Sequence, residues 1–380
     1  MIVLGPRGVG KTTLLLQRLA QLNLPPQKAL YVDLGDLYFQ ANHLIEFIEQ
    51  FVEQGGTHLF IDEVHRYGYG DWAPEIKAAY DRFRKRLRIV LTGSSVIKLL
   101  REKADLSRRA LKYRMLGLSF REYLRLAHDW EVGELSLQEI LTDGPTIAAR
   151  LLRDTTAEPT ALLRAYWKMG YFPFFLERPG GYVNRLVDTV QTVLEHDIPY
   201  GTDQGSQDSA KLGRLLYAVA SSAPFKPNLT KMGERLGINR RDLTGYLDQL
   251  EAAQLIIGLR QESRGIGSMG KPDKLYLDNP NLVHALAPVQ EGVGMLRETF
   301  FLNQLSFLTH QPSLVPPEIR LPKKGDFALL TASERYVFEI GGRSKGRQQL
   351  AGEENAYTVV DTGLSGSPNR IPLWLFGLLY

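Results

Sequence analysis

Four side chains carry the densest chemistry in this chain: the ammonium of Lys11, the hydroxyl of Thr12, and the adjacent carboxylates of Asp62 and Glu63. Lys11 and Thr12 close the run Gly5-Pro6-Arg7-Gly8-Val9-Gly10-Lys11-Thr12, with Thr13 behind it. The spacing G-x-x-x-x-G-K-[ST] suits a loop that wraps a polyphosphate. Gly5, Gly8 and Gly10 let the backbone curl so that its N–H groups face inward as an anion nest. Lys11 then reaches the β- and γ-phosphates, and the Thr12 hydroxyl holds Mg²⁺. The expected ligands are ATP or ADP with Mg²⁺, bound along Gly5 to Thr13.

The carboxylates end the apolar run His58-Leu59-Phe60-Ile61. At this distance after a phosphate loop, Asp62 is expected to act on Mg²⁺, largely through its water shell. Glu63 is expected to orient and polarise the water that attacks the γ-phosphate. Another apolar run, Arg88–Thr92, leads to Gly93-Ser94-Ser95. Ser94 or Ser95, with Thr92 as a further candidate, offers a polar tip beside the γ-phosphate. Either serine equally suits the N-cap of a following helix.

These groups need a scaffold that brings strand tips together. Five short runs supply one: Ile2–Leu4, Leu30–Asp33, His58–Asp62, Arg88–Thr92 and Tyr113–Leu116. Amphipathic stretches of helical length separate most of them, so the pattern reads as α/β with a parallel sheet. Ligands bind such sheets beyond the carboxyl ends of the strands.

At 380 residues the chain has room for two or three domains. Hydrophobic residues make up 44% and charged residues 23%, as in ordinary globular proteins. The absence of cysteine excludes disulfides and thiolate metal sites and suits a cytoplasmic location. No apolar run reaches the length of a membrane span. The net charge of +4 is unevenly spread, with fourteen Lys/Arg against four Asp/Glu between Asp81 and Arg125. That stretch reads either as a solvated basic face or as a surface for phosphate, nucleic acid or a neighbouring subunit.

The phrases G-P-R-G-V-G-K-T, F-I-D-E-V-H-R, L-T-G-S-S and Leu118-Ser119-Phe120-Arg121-Glu122-Tyr123-Leu124 resemble the AAA-domain ATPases of prokaryotes. Tyr171-Phe172-Pro173 and Leu275-Tyr276-Leu277-Asp278 extend the resemblance along the chain. It implies ATP hydrolysis, a strand inserted between the loop strand and the Asp-Glu strand, and often a restriction-nuclease-like domain at the C-terminus. It also implies an arginine finger between the sensor loop and Leu118. Arg109 is the leading candidate and Arg108 and Arg114 are alternatives; a finger given in trans requires a homo-oligomer. Relatives carry residues before the first strand that help wall the adenine, whereas this sequence opens at Met1-Ile2. The adenine is therefore walled from elsewhere, or the start is shortened. The letters D-E-x-H at Asp62–His65 also occur in helicases, but a second RecA-like domain is not found here.

Residues 119–204 have mainly helical spacing and read as a lid over the nucleotide, following a nucleotide domain at 1–118. The aromatic residues Tyr166, Trp167, Tyr171, Phe172, Phe174 and Phe175 read as packing rather than a ligand cage. A polar linker at 201–209 leads into a domain at 205–284. There Thr230–Ile238 and Asn239–Leu250 spell two helices around a glycine turn, and Leu255–Leu259 with Lys274–Leu277 spell a wing. Asn239, Arg240, Arg241 and Thr244 would face a DNA major groove, and Arg260, Arg264 and Lys271 its phosphates. A protein partner is the equal alternative. In the last domain, 285–380, Glu298, Asp326 and Glu339 resemble the acidic set of PD-(D/E)XK nucleases. The lysine expected two residues after Glu339 is Gly341, and Arg343 or Lys345 lies beyond two glycines. The expectation is a nuclease-like α+β fold that does not cleave.

The sequence thus reads as a Mg²⁺-dependent, ATP-hydrolysing AAA-type switch acting on duplex DNA or a protein. The rival readings are a DNA-cleaving enzyme and a scaffold that holds nucleotide without turnover.

Overall fold

The computed structural model describes residues 1–93, 106, 108–153, 155–156, 158–198, 209–262, 271–287 and 292–380. Ser94, Ser95, Arg264 and most of the 201–209 linker lie outside the described residues.

The chain parts into two compact units, Met1–Leu116 with Thr189–Ala210, and Gly117–Asp188 with Lys211–Tyr380. The first is built on strands β1 Ile2–Leu4, β2 Ala29–Asp33, β3 His58–Asp62, β4 Arg88–Gly93 and β5 Lys112–Arg114. They lie in the order β2-β3-β4-β1-β5 and every pairing is parallel. β4 is therefore inserted between the loop strand β1 and the Asp-Glu strand β3, as the resemblance implied. Helices α1 Lys11–Leu22, α2 Tyr38–Ala41, α3 Leu44–Glu53 and α4 Trp72–Phe83 connect the strands.

Parallel strands buried on both faces need continuous apolar runs, and Leu59, Phe60 and Ile61 are all buried. Against them α3 presents Leu44, Ile48 and Val52, and α4 presents Trp72, Ile76 and Ala79. The spacing i, i+4, i+7 or i+8 makes one apolar stripe on each helix. Asp71 caps α4 by accepting from the Ala73 N–H at 3.0 Å.

The second unit holds α5 Phe120–His128, α6 Leu137–Leu151 and α7 Pro159–Met169, and the helix that follows, α8 Tyr182–Thr192, begins in it and ends in the first unit. Ser119 and Ser136 start α5 and α6 with capping boxes, closed by Glu122 and Glu139. The segment 119–204, read from sequence as a lid, is divided between the two units. Its helices α5 to α7 share a core with C-terminal residues. Phe120 stands edge-on to Tyr166 and to Phe300, and Gly144 faces Ile371 and Leu375. Tyr166, Trp167, Tyr171, Phe172 and Phe175 are buried in this unit. One amide organises them: Asn281 accepts from the N–H groups of Gly170 and Tyr171 at 3.1 and 2.8 Å. It donates to the carbonyls of Tyr166 and Trp167, both at 2.8 Å. It thereby satisfies the carbonyl end of α7.

Further along run α9 Ser209–Ala220, α10 Leu229–Leu236 and α11 Arg240–Ala252. α10 stops at Gly237, whose φ of 64° is left-handed, and Asn239 caps α11 by accepting from the Asp242 N–H at 2.9 Å. Strands β6 Ile256–Leu259 and β7 Lys274–Leu277 form an antiparallel hairpin behind them. After α12 Pro280–Leu286 and α13 Val293–Ser306 comes a second five-stranded sheet. Its strands are β8 Glu318–Arg320, β9 Phe327–Leu330, β10 Arg335–Gly341, β11 Ala356–Val360 and β12 Arg370–Pro372, in sequence order across the sheet. β8, β9 and β10 are antiparallel neighbours, whereas β10, β11 and β12 run parallel.

Candidate functional site

The loop between β1 and α1 is shaped by its glycines. Gly8 and Gly10 have φ of 85° and 101°, a left-handed region that side chains resist. Gly5 serves another need: a Cβ there would stand 2.1 Å from the Met115 carbonyl oxygen, beside the end of β5. α1 then begins at Lys11 with no side-chain cap and no acid in its first turn. The other first-unit helix of twelve residues, α4, has both. The first amides of α1 and the positive end of its dipole are thus left to a ligand, and an anion is what they favour.

Lys11 is buried and donates to the carbonyls of Gly5 and Pro6 at 3.0 and 2.8 Å. Burial pulls its pKa down to about 8, against the opposing pull of Glu63, Asp197 and Asp62. Thr12 donates its hydroxyl proton to Asp62 Oδ2 at 2.6 Å. Tyr31 donates to the same oxygen at 3.0 Å, and the Glu63 N–H donates to Oδ1 at 3.0 Å. Thr92 also donates to Asp62 Oδ1. Burial and then the Asp62 charge drive the Tyr31 pKa up, so this phenol stays a donor. Four donors from four segments hold Asp62 at the tip of β3.

Glu63 takes a left-handed backbone, φ 51° and ψ 43°, which costs a non-glycine residue on the order of 1 kcal/mol. The turn is fixed by its own carbonyl accepting from the Arg66 N–H at 2.8 Å. Its carboxylate lies 3.2 Å from Nε2 of the buried His65. His65 Nε2 is also 3.7 Å from Oδ1 of the buried Asp197, which in turn pairs with Arg7 at 3.1 Å.

Lys11, Thr12, Asp62 and Glu63 are therefore brought together, with Thr92 at the tip of the inserted strand. A hydroxyl and a carboxylate already in contact form a donor set that fits Mg²⁺, a hard cation taking oxygen ligands. Arg109 is not brought to this cluster. It makes a two-bond pair with Asp81 of α4, at 2.9 and 3.0 Å. There it lines a cavity with Met1, Leu87 and Arg88, at the amino ends of β1 and β4. Arg108 is exposed, and Ser94 lies outside the described residues. Sequence reasoning missed Tyr31 and Asp197. Tyr31 carried no sequence signal beyond its place in a strand. Asp197 had one: Val190, Val193, Leu194 and Asp197 make a helical stripe, and a carboxylate at its end is out of place unless paired.

Residues 1–124 match the family model described as an AAA domain. That stretch, with its phosphate-type loop and its Asp-Glu strand, is similar to an AAA domain. A second model, described as a domain of unknown function (DUF8612), matches residues 160–292, which hold α10, α11 and the β6–β7 hairpin. Uncharacterized protein MJ1637 of Methanocaldococcus jannaschii is 26% identical over 379 residues, covering 93% of this chain and 78% of that protein. Among solved structures, the Thermotoga maritima RuvB Holliday junction branch migration motor is 17% identical, with 69% of this chain and 81% of that chain covered and a TM-score of 0.28. The Aeropyrum pernix ORC1 protein in complex with DNA is 15% identical, with 76% and 86% covered and a TM-score of 0.32. Likeness of that degree says nothing of what this chain acts on.

Outside residues 1–124, the carboxylates singled out on α13, before β9 and on β10 also come near one another, but each has a partner. Glu298 accepts from Lys274 and from the Tyr276 hydroxyl, both at 2.8 Å. Glu339 is buried and paired with Lys345. The loop that follows brings Lys345 back across the glycines, its side chain packing over Gly341. Asp326 accepts from the Ile340 N–H at 2.8 Å, and burial and then the Glu298 charge raise its pKa to about 6. Among the described residues no group of three His, Cys, Asp or Glu side chains could hold a metal ion. Among them, too, no helix is long and apolar enough to cross a membrane.

Proposed function

We propose that this chain is a Mg²⁺-dependent ATPase of the AAA type that works as a switch. The reading rests on one observation above the rest: the 2.6 Å hydrogen bond from Thr12 to Asp62, between a phosphate-loop hydroxyl and a strand-tip carboxylate. A divalent ion held by Thr12 and Asp62 would neutralise charge on the β- and γ-phosphates of ATP. Lys11 would exchange its two carbonyl partners for phosphate oxygens, and the N–H groups of the Gly5–Thr13 loop would wrap the chain. Glu63 would polarise the attacking water, with Thr92 or Ser94 as the polar tip beside it. Arg109 as a finger would have to act on a neighbouring subunit, which makes a homo-oligomer part of the reading.

For the partner we favour duplex DNA. α10, the Gly237 turn, α11 and the β6–β7 hairpin have the order of a winged helix. Arg240 and Arg241 are exposed at the start of α11, where a major groove would be met. The C-terminal sheet we read as nuclease-like without cleavage, because lysines already neutralise Glu298 and Glu339. Steady-state ATP turnover with and without duplex DNA, against Glu63→Gln as blank, tests the proposal. Turnover above the blank that rises with DNA is expected. Nucleotide binding with turnover equal to the blank would leave a scaffold, and turnover indifferent to DNA would point to a protein partner.

A further inference from the structure

Asp197 is a buried carboxylate that the proposed reaction does not use. It lies at the end of a wide helical turn, Val193–Asp197, in which the Ile198 N–H reaches back five residues to the Val193 carbonyl. Such turns are rare and gather at functional sites. The turn belongs to the first unit, with the phosphate loop. Asp197 Oδ1 is 3.1 Å from Arg7 and 3.7 Å from His65 Nε2. Asp62, Glu63 and Asp197 all act on the buried ammonium of Lys11. Two of these three carboxylates have work to do on a metal ion and a water. The third has none, yet burying it is costly unless a cation answers it. The cation it takes is Arg7, which belongs to the anion-binding loop itself.

We infer that Asp197 is an internal competitor of the polyphosphate: its carboxylate holds Arg7, and a bound phosphate chain has to take that guanidinium from it. The inference rests on the proposed function only in requiring that the loop bind nucleotide. Phosphate oxygens and Asp197 are both anions seeking the same planar donor, and a fork of N–H groups suits either. Binding therefore works against the Asp197 contact, and the turn carrying Asp197 is biased toward letting go. His65 keeps its contact with Glu63 at 3.2 Å. Nucleotide affinity is held down by this contact, and nucleotide occupancy is passed to residues 189–198.

The test is the affinity of the full chain for a fluorescent ATP analogue with Mg²⁺. It compares wild type, Asp197→Asn, Arg7→Gln, the double variant, and Glu195→Gln as a control on an exposed neighbouring carboxylate. Asp197→Asn keeps the shape but frees Arg7, and is expected to bind at least about tenfold tighter. In the Arg7→Gln background the same change is expected to alter affinity by no more than about twofold, since coupled sites fail to add. Glu195→Gln is expected to match wild type. Asp197→Asn binding no tighter than wild type overturns the inference. So does equal tightening by Glu195→Gln, tightening that persists without Arg7, or binding by none of the chains. If Asp197→Asn does not fold by its thermal transition, Asp197→Ser takes its place in the same comparison. Turnover on the same samples keeps the two readings apart: binding that follows the expected order with no hydrolysis above Glu63→Gln sinks only the ATPase proposal.

Discussion

Thr12 donates to Asp62 across 2.6 Å, although fifty positions separate them in sequence. It spans a sheet in which β4, rather than β3, is the neighbour of β1. The inserted strand carries Thr92 to the same carboxylate, and β2 on the far side carries Tyr31. Thr12→Ala removes the proposed cation ligand without disturbing the glycine turn. Expected is nucleotide affinity that no longer differs between Mg²⁺ and chelator, with turnover lower by about a hundredfold. A titration of each variant in Mg²⁺ and in EDTA checks it, and a persisting Mg²⁺ dependence would move the metal away from Thr12.

Glu63 holds a left-handed backbone that a glycine would hold for less. Glu63→Gln keeps the backbone and the size but removes the carboxylate proposed to polarise the attacking water. Turnover should fall by about a hundred- to ten-thousandfold while the nucleotide dissociation constant stays within about threefold. Glu63→Gly should be equally inactive, yet the relief of strain offsets the lost His65 contact, so its thermal midpoint is expected at or above that of Glu63→Gln. A Gly variant that melts clearly lower would mean the backbone there is not under strain.

The glycine turn and the Asp-Glu strand were legible from sequence because both depend on local spacing. Four of the five strands were found close to their observed bounds for the same reason, since buried parallel strands are apolar runs; the fifth, Lys112–Arg114, is exposed and polar. What stayed hidden depends on contacts far apart in the chain. Asn281 organises the end of α7 from more than a hundred residues away, and nothing in its neighbours announces it. The helices read as a lid share apolar stripes with the C-terminal sheet, and a stripe does not name its partner. Arg109 was chosen by the family resemblance, and its pairing with Asp81 of α4 was a contact the spacing did not announce.

Gly5 tests the scaffold rather than the chemistry. Its Cβ would meet the Met115 carbonyl, a backbone atom that no rotamer can move, while the Met115 N–H already donates to Leu4 at 2.6 Å. Gly5→Ala must separate β1 from β5 and is expected to destabilise by about 2 kcal/mol or more. Gly70 has open space around it, so Gly70→Ala should change the midpoint little. Thermal unfolding of both variants by circular dichroism decides; equal midpoints would show that the strand ends are not in close contact.

Asp326 gives the second unit a dependence on pH whose sign follows from burial. Its pKa stands at about 6 in the folded chain, above the ordinary 3.8, because burial and Glu298 disfavour the charge. Below about pH 4 the proton is held whether the chain is folded or not, and the group is neutral to stability. As pH rises from 4 to 6 the unfolded chain gives up its proton first, so stability falls, by on the order of 3 kcal/mol, and stays lower above pH 6. Asp326→Asn has no proton to lose and can still accept from the Ile340 N–H. It is expected to melt above wild type at pH 7.5, with the gap closing at pH 4. A gap that is constant across that range would mean that Asp326 titrates as an ordinary carboxylate, and that Lys274 and Lys345 offset its burial in full.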